Sequence, residues 1–177
     1  MKEEAGVNEE REILLRCLRL KRVVRAGWTR FPIGNPESVA AHCWGMGLLA
    51  LLTCPPELDR EKVITLALIH DLAEVIVGDI TPLDGVPKDE KRKQEEKALA
   101  TLLQGHPRSE ELQSIWQEFE DRTTPEGKFV SDLDKLDMGL QAEIYEQDFN
   151  INLDEFTNSS KRFMKHPHLS SLLKSQE

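Results

Sequence analysis

The stretch that decides the fold is "LALIHDLAEVIVGDITP", from Leu66 to Pro82. It reads as a buried apolar helix, yet it carries His70, Asp71 and Glu74, and Asp79 follows after a glycine. Ionisable groups in apolar surroundings are unfavourable unless they are paired or bind a metal ion. The stretch therefore indicates either a satisfied structural network or a functional site.

The rest of the chain has helical periodicity, and no segment alternates apolar and polar residues as a strand does. Ser38 is the predicted N-cap of "VAAHCWGMGLLALLT", and Asp59 is the predicted N-cap of one continuous helix, "REKVITLALIHDLAEVIV". The glycines and prolines of "GDITPLDGVP" predict a loop before the helix "KDEKRKQEEKALATLLQ". Further helices are predicted after Ser109, from Thr124-Pro125 through Gln147, and over residues 156–164 and 167–173. The predicted fold class is all-α.

Two of these helices have a clear apolar face, which we expect to pack on the core. Near the N-terminus the face consists of Leu14, Cys17, Leu18 and the stem of Lys21. In the long helix after Pro125 it consists of Phe129, Val130, Leu133, Leu140 and Ile144. A chain of 177 residues is long enough for one domain with its own core. We expect that core over about residues 10–147 and short closing helices within residues 154–174.

Composition excludes several classes of function. The chain has 23 Lys and Arg against 32 Asp and Glu, a formal net charge of −9, which opposes the binding of a nucleic acid polymer. Three cysteines without CxxC spacing predict reduced thiols and a cytoplasmic protein. The charged N-terminal stretch is unlike a signal peptide, and the longest apolar run is too short to span a bilayer, so no membrane partner is expected.

His70 and Asp71 together suit a divalent transition metal, because imidazole nitrogen and carboxylate oxygen are its common ligands. By helical spacing they share a face with Ala67 and Glu74. Among five histidines, His42 is the best further ligand, since it lies within an apolar helix. Each residue alone is more often structural than metal-binding. Their convergence in one helical domain favours a metal site.

The stretch "SDLDKLD" offers three aspartates as a carboxylate ligand from another helix. At about 100° per residue, Asp132 points well away from Asp134, whereas Asp137 lies about 60° from Asp134. Periodicity therefore rejects Asp132 and leaves Asp134 and Asp137 open.

Three segments resemble the HD-domain metal-dependent phosphohydrolases, and in particular their 5′-deoxynucleotidase branch. They are "RAGWTR…PESVAAHCW", "LALIHDLAEVIVGDITPLDGVPKDEK" and "KFVSDLDKLDMGLQAEIYE". The resemblance extends from about Leu18 to Tyr145, and the HDxxExxxGD element, His70 to Asp79, is typical of the branch. Ala41 departs from the pattern, since relatives often have an acidic residue there. A single HD-domain helical bundle over residues 1–177 is the architecture that the resemblance implies.

The resemblance implies hydrolysis of deoxyribonucleoside 5′-monophosphates to deoxyribonucleosides and phosphate. It implies one divalent ion, Mn, Co, Fe, Zn, Ni or Mg, bound by His42, His70, Asp71 and, of the two open aspartates, Asp134. Asp137 then becomes a neighbour that accepts a hydrogen bond from a ligand histidine.

Two further residues have catalytic roles under this resemblance. Glu74, one turn past His70, is expected to orient or deprotonate the attacking water. Asp79 is expected to meet the sugar hydroxyl or the leaving oxygen.

The substrate is a small nucleotide, and four residues are candidates to bind it. Trp28 either stacks on or encloses the sugar and base, or belongs to the core. Arg25, Arg30 and Lys88 are phosphate candidates, with ordinary surface charge as the alternative for each.

Two other functions stay open at this point. An HD phosphohydrolase acting on cyclic dinucleotides, nucleoside triphosphates or alarmones is disfavoured by the acidic composition and by the lack of further histidines near the site. A non-catalytic helical adaptor is disfavoured by the intact set of site residues. Members of the family are often dimers, and the sequence leaves a homodimer open.

Overall fold

The computed structural model describes residues 2–174, and its elements are helical apart from an isolated antiparallel bridge between Val24 and Ser38. The α-helices are α1 (Lys2–Cys17), α2 (Val39–Thr53), α3 (Arg60–Ile69), α4 (Glu74–Val77), α5 (Lys88–Leu102), α6 (Ser109–Asp121), α7 (Pro125–Phe149), α8 (Asp154–Phe163) and α9 (Pro167–Ser171). Short 3₁₀ helices lie at Leu18–Arg22, Ala26–Arg30 and Pro82–Asp84. The all-α prediction is confirmed. None of the helices in this part of the chain is long and apolar enough to cross a membrane.

Local side-chain caps set the starts of three helices, as predicted. Ser38 Oγ accepts a hydrogen bond from the Ala41 amide at 3.2 Å, and Asp59 Oδ1 accepts one from the Lys62 amide at 3.1 Å. Thr124 caps α7 by the same geometry, with a proline at the first helical position. A cap satisfies an otherwise unpaired amide and contributes about 1 kcal/mol. At α6 the prediction was off by one residue, because the helix begins at Ser109 and Arg108 holds the cap position.

The predicted continuous helix over residues 60–77 is wrong, because the chain tightens after Ile69. The amides of Leu72, Glu74 and Val75 bond to carbonyls three residues back, so residues 70–73 form turns between α3 and α4. This 3₁₀-type bonding gives a tighter helical turn, with fewer residues per turn than an α-helix. It changes the directions of the His70, Asp71 and Glu74 side chains from those of a regular helix.

Helices α2, α3 and α7 pack against one another and enclose the main core. Its fully buried members include Met46, Ala50, Leu66, Val130 and Leu133. Burial of a leucine- or methionine-sized side chain contributes about 1.5–3 kcal/mol. The three helices that meet in this core are also those that carry or adjoin the ionisable residues, so packing fixes the backbone beneath the site.

Two predicted apolar faces are shifted. On α7, Ile144 is 49% exposed, while Ala142 and Tyr145 are buried because the chain around Leu153 packs on that side. On α1, Leu14 and the following Leu18 are exposed, and Ile13 is buried instead. In both cases the neighbouring elements decide which part of an amphipathic surface is covered.

The segment before α2 is held in place by backbone pairing. The Val39 amide donates to the Val23 carbonyl at 2.8 Å, and the Arg25 amide donates to the Glu37 carbonyl at 3.1 Å. The Ala26 amide donates to Asp79 Oδ2 at 2.7 Å. These bonds place Arg25 between the start of α2 and the chain that follows α4.

Candidate metal centre

Four side chains from three parts of the fold converge beneath this segment. His42 comes from α2, His70 and Asp71 from the turn after α3, and Asp134 from α7. His42 Nε2 lies 3.3 Å from His70 Nε2, 3.6 Å from Asp71 Oδ2 and 3.4 Å from Asp134 Oδ1. His70 Nε2 lies 3.1 Å from Asp71 Oδ2. The structure thus brings together all four residues predicted as ligands.

The spacing of these atoms fits one bound ion. Ligand atoms about 2.1 Å from a metal, at the angles of tetrahedral or octahedral coordination, lie about 3.0–3.5 Å apart. His42, His70 and Asp71 each offer an atom within 4.8 Å of the others, so these three residues could hold one ion. Asp134 completes it from the opposite helix through its contact with His42.

The second ring nitrogen of each histidine has a partner that fixes the tautomer. His42 Nδ1 lies 2.6 Å from Asp137 Oδ2, and His70 Nδ1 lies 2.9 Å from the Ala67 carbonyl oxygen. Both partners only accept, so each Nδ1 carries the proton. In the neutral rings the two Nε2 lone pairs then face the same point. That arrangement is typical of metal-binding histidines, whose other nitrogen donates to a carboxylate or carbonyl.

Burial and negative charge act in opposite directions on the two imidazoles. Burial lowers the pKa of His42, but hydrogen bonds with Asp134 and Asp137 raise it overall. Burial also lowers the pKa of His70, but the charge of Asp71 raises it well above the ordinary value. The carboxylates that attract a proton to these rings attract a divalent cation more strongly, because its charge is twice as large.

The carboxylates keep their charge despite their burial. Burial raises the pKa of Asp71, but the charges of His70 and His42 lower it below its ordinary range. For Asp134, Lys135 and His42 outweigh burial and hold the pKa well below the ordinary value. The donor set therefore consists of two imidazoles and two carboxylates, which fits a divalent transition metal.

Glu74 lies beside this cluster and is the first residue of α4. Its side chain is buried, and Oε2 has no hydrogen-bond partner among the described residues. Burial and the charges of Asp71 and Asp79 raise the pKa of Glu74 to about 10, against the opposing effect of Arg25. An unpaired buried carboxyl oxygen is unfavourable in a purely structural role. It fits a group that pairs with something that enters the site.

Three cations adjoin the cluster. Arg25 Nη1 lies 3.6 Å from Asp71 Oδ2, so the predicted phosphate candidate Arg25 does reach the site. Lys135 Nζ donates to Asp134 Oδ2 at 2.7 Å. Lys91, on α5, interacts electrostatically with Glu74 and Asp71.

The other predicted substrate residues lie elsewhere. Trp28 is only 1% exposed, packs against Tyr145 and Phe156, and donates from Nε1 to Glu37 Oε1 at 2.9 Å. The structure therefore contradicts stacking of Trp28 on a base and supports the alternative, a core residue.

Arg30 and Lys88 are not brought to the cluster either. Arg30 Nη2 pairs with Glu155 Oε1 at 2.5 Å on the surface. Lys88 is exposed at the start of α5, and within residues 2–174 no ion pair joins it to the site. Both match the alternative of ordinary surface charge.

Sequence reasoning missed Lys91, Lys135 and Glu37 as neighbours of the site. Lys135 directly follows Asp134, and Glu37 directly precedes the cap Ser38. Their positions in the sequence could therefore have indicated that both lie near the site. Lys91 lies among many charged residues on α5, which the sequence presents as a solvated surface. Only the packing of α4 on α5 singles it out.

Comparison with known proteins agrees with this geometry. The family model described as "HD domain" matches residues 17–171. The chain belongs to the HD domain family. The HD domain of this chain is similar to the 5′-deoxynucleotidase HDDC2 of Mus musculus, with 41% identity over 93% of this chain and 86% of that protein. It is also similar to the 5′-deoxynucleotidase hdd1 of Schizosaccharomyces pombe, with 40% identity over 86% of this chain and 81% of the relative.

A solved structure has the same fold. The PH0347 protein from Pyrococcus horikoshii OT3 matches with a TM-score of 0.75 and 34% identity, over 90% of this chain and 91% of that one. In this chain the histidine and aspartate pair of the HD domain, His70 and Asp71, lies at the turn between α3 and α4, within the cluster that could hold a metal ion.

Proposed function

We propose that the protein is a 5′-deoxynucleotidase, a metal-dependent phosphohydrolase that converts deoxyribonucleoside 5′-monophosphates to deoxyribonucleosides and phosphate. One observation carries the proposal. Two histidine Nε2 atoms and Asp71 Oδ2 lie within 3.6 Å of one another, and Asp71 interacts electrostatically with the buried Glu74, whose Oε2 has no hydrogen-bond partner among the described residues. About 40% identity with proteins named 5′-deoxynucleotidase supports the substrate class.

His42, His70, Asp71 and Asp134 would hold the divalent ion. When bound there, such an ion lowers the pKa of water and neutralises charge on the phosphate. Its identity is left to measurement among Mn, Co, Fe, Zn, Ni and Mg. Asp137 keeps His42 in the metal-binding tautomer through the 2.6 Å bond to Nδ1.

Glu74 accepts the proton of the attacking water in this proposal. Its unpartnered Oε2 is available for that hydrogen bond, and a cation beside it favours the carboxylate form that a base requires. The water oxygen bonds to phosphorus while the bond from phosphorus to the 5′ oxygen breaks, and the leaving oxygen takes up a proton. Asp79 is held by the Ala26 amide near this edge, and we propose that it meets the sugar hydroxyl or the leaving oxygen.

Metal analysis followed by a substrate panel tests the function. We expect the purified protein to contain a divalent metal and to favour 2′-deoxy over ribo 5′-monophosphates, with little discrimination between bases. Equal kcat/KM for dAMP and AMP, or activity on one base alone, contradicts this substrate preference. Turnover of cyclic dinucleotides or triphosphates in place of monophosphates supports the other phosphohydrolases, and metal-free protein without turnover supports the adaptor.

We further propose that two copies of the chain associate through α2. Its outward side chains Trp44, Leu48, Leu51 and Leu52 are exposed, and this face carries no charged residue. At a net charge of −9 two copies repel each other elsewhere, so an uncharged face that meets itself across a two-fold axis is the favourable contact. Light scattering should give the mass of a dimer. The variant Leu48→Lys with Leu52→Lys should give that of a monomer, and a monomeric wild-type protein contradicts the proposal.

We also propose that the chain acts as a single domain in the cytoplasm. Its cysteines, Cys17, Cys43 and Cys54, are free thiols, which fits a reducing compartment. Fractionation with an antibody against the protein tests the location.

A further inference from the structure

Lys91 lies on α5, the helix that packs against α4. Its ammonium Nζ lies 3.5 Å from Glu95 Oε1, one turn further along the same helix. The Glu95 side chain is 10% exposed, whereas that of Lys91 is 34% exposed. A buried carboxylate thus anchors a lysine whose end still reaches solvent.

The charges around Lys91 belong to the reaction site. Burial lowers the pKa of Lys91, but Glu95, Glu74, Asp71 and Asp79 raise it overall. The effect is reciprocal, because Lys91 lowers the pKa of Glu74. Three of the four carboxylates that act on Lys91 are therefore the proposed metal ligand Asp71 and the two proposed catalytic carboxylates, Glu74 and Asp79.

The other two cations of the site are paired with proposed metal ligands, whereas the partner of Lys91, Glu95, is not one of them. Arg25 pairs with Asp71, and Lys135 pairs with Asp134. Both aspartates are proposed metal ligands. A lysine ammonium has three donors, and among the side chains of residues 6–174 the carboxylate within 4 Å of Lys91 is that of Glu95. Lys91 therefore has donors to offer, and its electrostatic interaction with Glu74, Asp71 and Asp79 associates it with a part of the site where negative charge is in excess and a phosphate needs compensation.

We propose that Lys91 is a substrate-binding residue, whose ammonium donates a hydrogen bond to a phosphate oxygen of the bound nucleotide while Glu95 pairs with the same ammonium. The inference rests on the proposed function, because it requires a phosphomonoester at this site. For this role the sequence offered Arg25, Arg30 and Lys88, of which Arg25 lies at the site.

The test compares Lys91→Met with Lys91→Arg and with the control Lys93→Met, an exposed lysine on the same helix. Metal-loaded proteins are assayed for KM and kcat with a deoxynucleoside monophosphate, and inorganic phosphate is titrated by calorimetry and as an inhibitor. We expect Lys91→Met to weaken phosphate binding and raise KM about tenfold or more, the size of one hydrogen bond to a charged group. Lys91→Arg should recover most of both values. Metal content and Tm should match those of Lys93→Met.

The outcomes separate the inference from the function on which it rests. If the wild-type protein is active and Lys91→Met binds phosphate as tightly as Lys93→Met does, Lys91 does not bind substrate. A variant that loses metal or stability with unchanged phosphate affinity assigns Lys91 a structural role and also overturns the inference. If the metal-loaded wild type neither hydrolyses a phosphomonoester nor binds phosphate, both proposals fail.

Discussion

The two sides of the site differ in how firmly their side chains are held. On the ligand side, His42 is fixed by Asp137, His70 by the Ala67 carbonyl and Asp134 by Lys135. On the reaction side, Glu74 Oε2 has no hydrogen-bond partner within the described chain, and the contact between Lys91 and Glu95 is a long 3.5 Å.

This difference distinguishes residues that would hold the metal ion from residues that would react with or bind the substrate. A metal site needs ligands that are oriented before the ion arrives, and outer partners supply that orientation. Groups that exchange protons with substrate or bind it need unused hydrogen-bonding capacity in its absence. We therefore expect substitutions on the ligand side to act through metal content, and substitutions on the reaction side to act at constant metal content.

The largest effect is expected from Asp134→Ala, which removes a ligand. The variant should lose bound metal and fall to background activity, because three remaining ligands hold the ion less tightly and an oxygen donor is lost. Metal analysis of the purified variant checks this. An active variant with a full metal complement overturns the assignment of Asp134.

On the reaction side of the site, Glu74→Gln should reduce turnover strongly. Loss of a general base lowers the rate by about 10²–10⁴-fold, while the metal content stays as in the wild type. Steady-state kinetics and metal analysis on the same preparation test both parts. If the variant loses its metal yet regains activity when metal is added back, Glu74 is a ligand and not the base.

A smaller effect is expected for Asp137→Asn, which alters only the partner of a ligand. Weakening the bond to His42 Nδ1 should lower metal affinity by about 10–100-fold, with part of the rate retained at saturating metal. Titration of metal into stripped protein measures the affinity. Loss of activity that no metal concentration restores places Asp137 in the ligand set itself.

The smallest effect is a change in stability with pH at Glu95. Burial raises the pKa of Glu95 from 4.5 to about 7, with Lys91 opposing. The folded protein then holds this proton more tightly than the unfolded chain, so the Glu95 contribution to stability falls as pH rises from 4.5 to about 7. Relative to the wild type, Glu95→Gln should gain about 1–2 kcal/mol in free energy of unfolding over this range. Urea unfolding at several pH values measures the difference, and parallel curves for the two proteins contradict the prediction.

The aspartates of "SDLDKLD" show how far sequence reasoning reaches into the site. Periodicity alone separated Asp132 from the others, and in the structure Asp132 accepts hydrogen bonds from the amides of Lys165 and His166, away from the metal centre. Periodicity did not separate Asp134 from Asp137, because both lie on the face toward α2. Their different roles depend on which nitrogen of His42 each one meets.

The sequence by itself determined the helical fold class, the capped starts of α2, α3 and α7, and the ligand candidates. Caps and periodicity act over a few neighbouring residues, so they are visible in the chain. Only the tertiary structure decided that the helix stops at Ile69, that Trp28 is buried and that Lys91 interacts with the carboxylates of the site. These outcomes depend on contacts between residues far apart in sequence. The element that packs against Trp28 determines whether its ring is buried. The elements around Lys91 likewise determine which groups its charge interacts with.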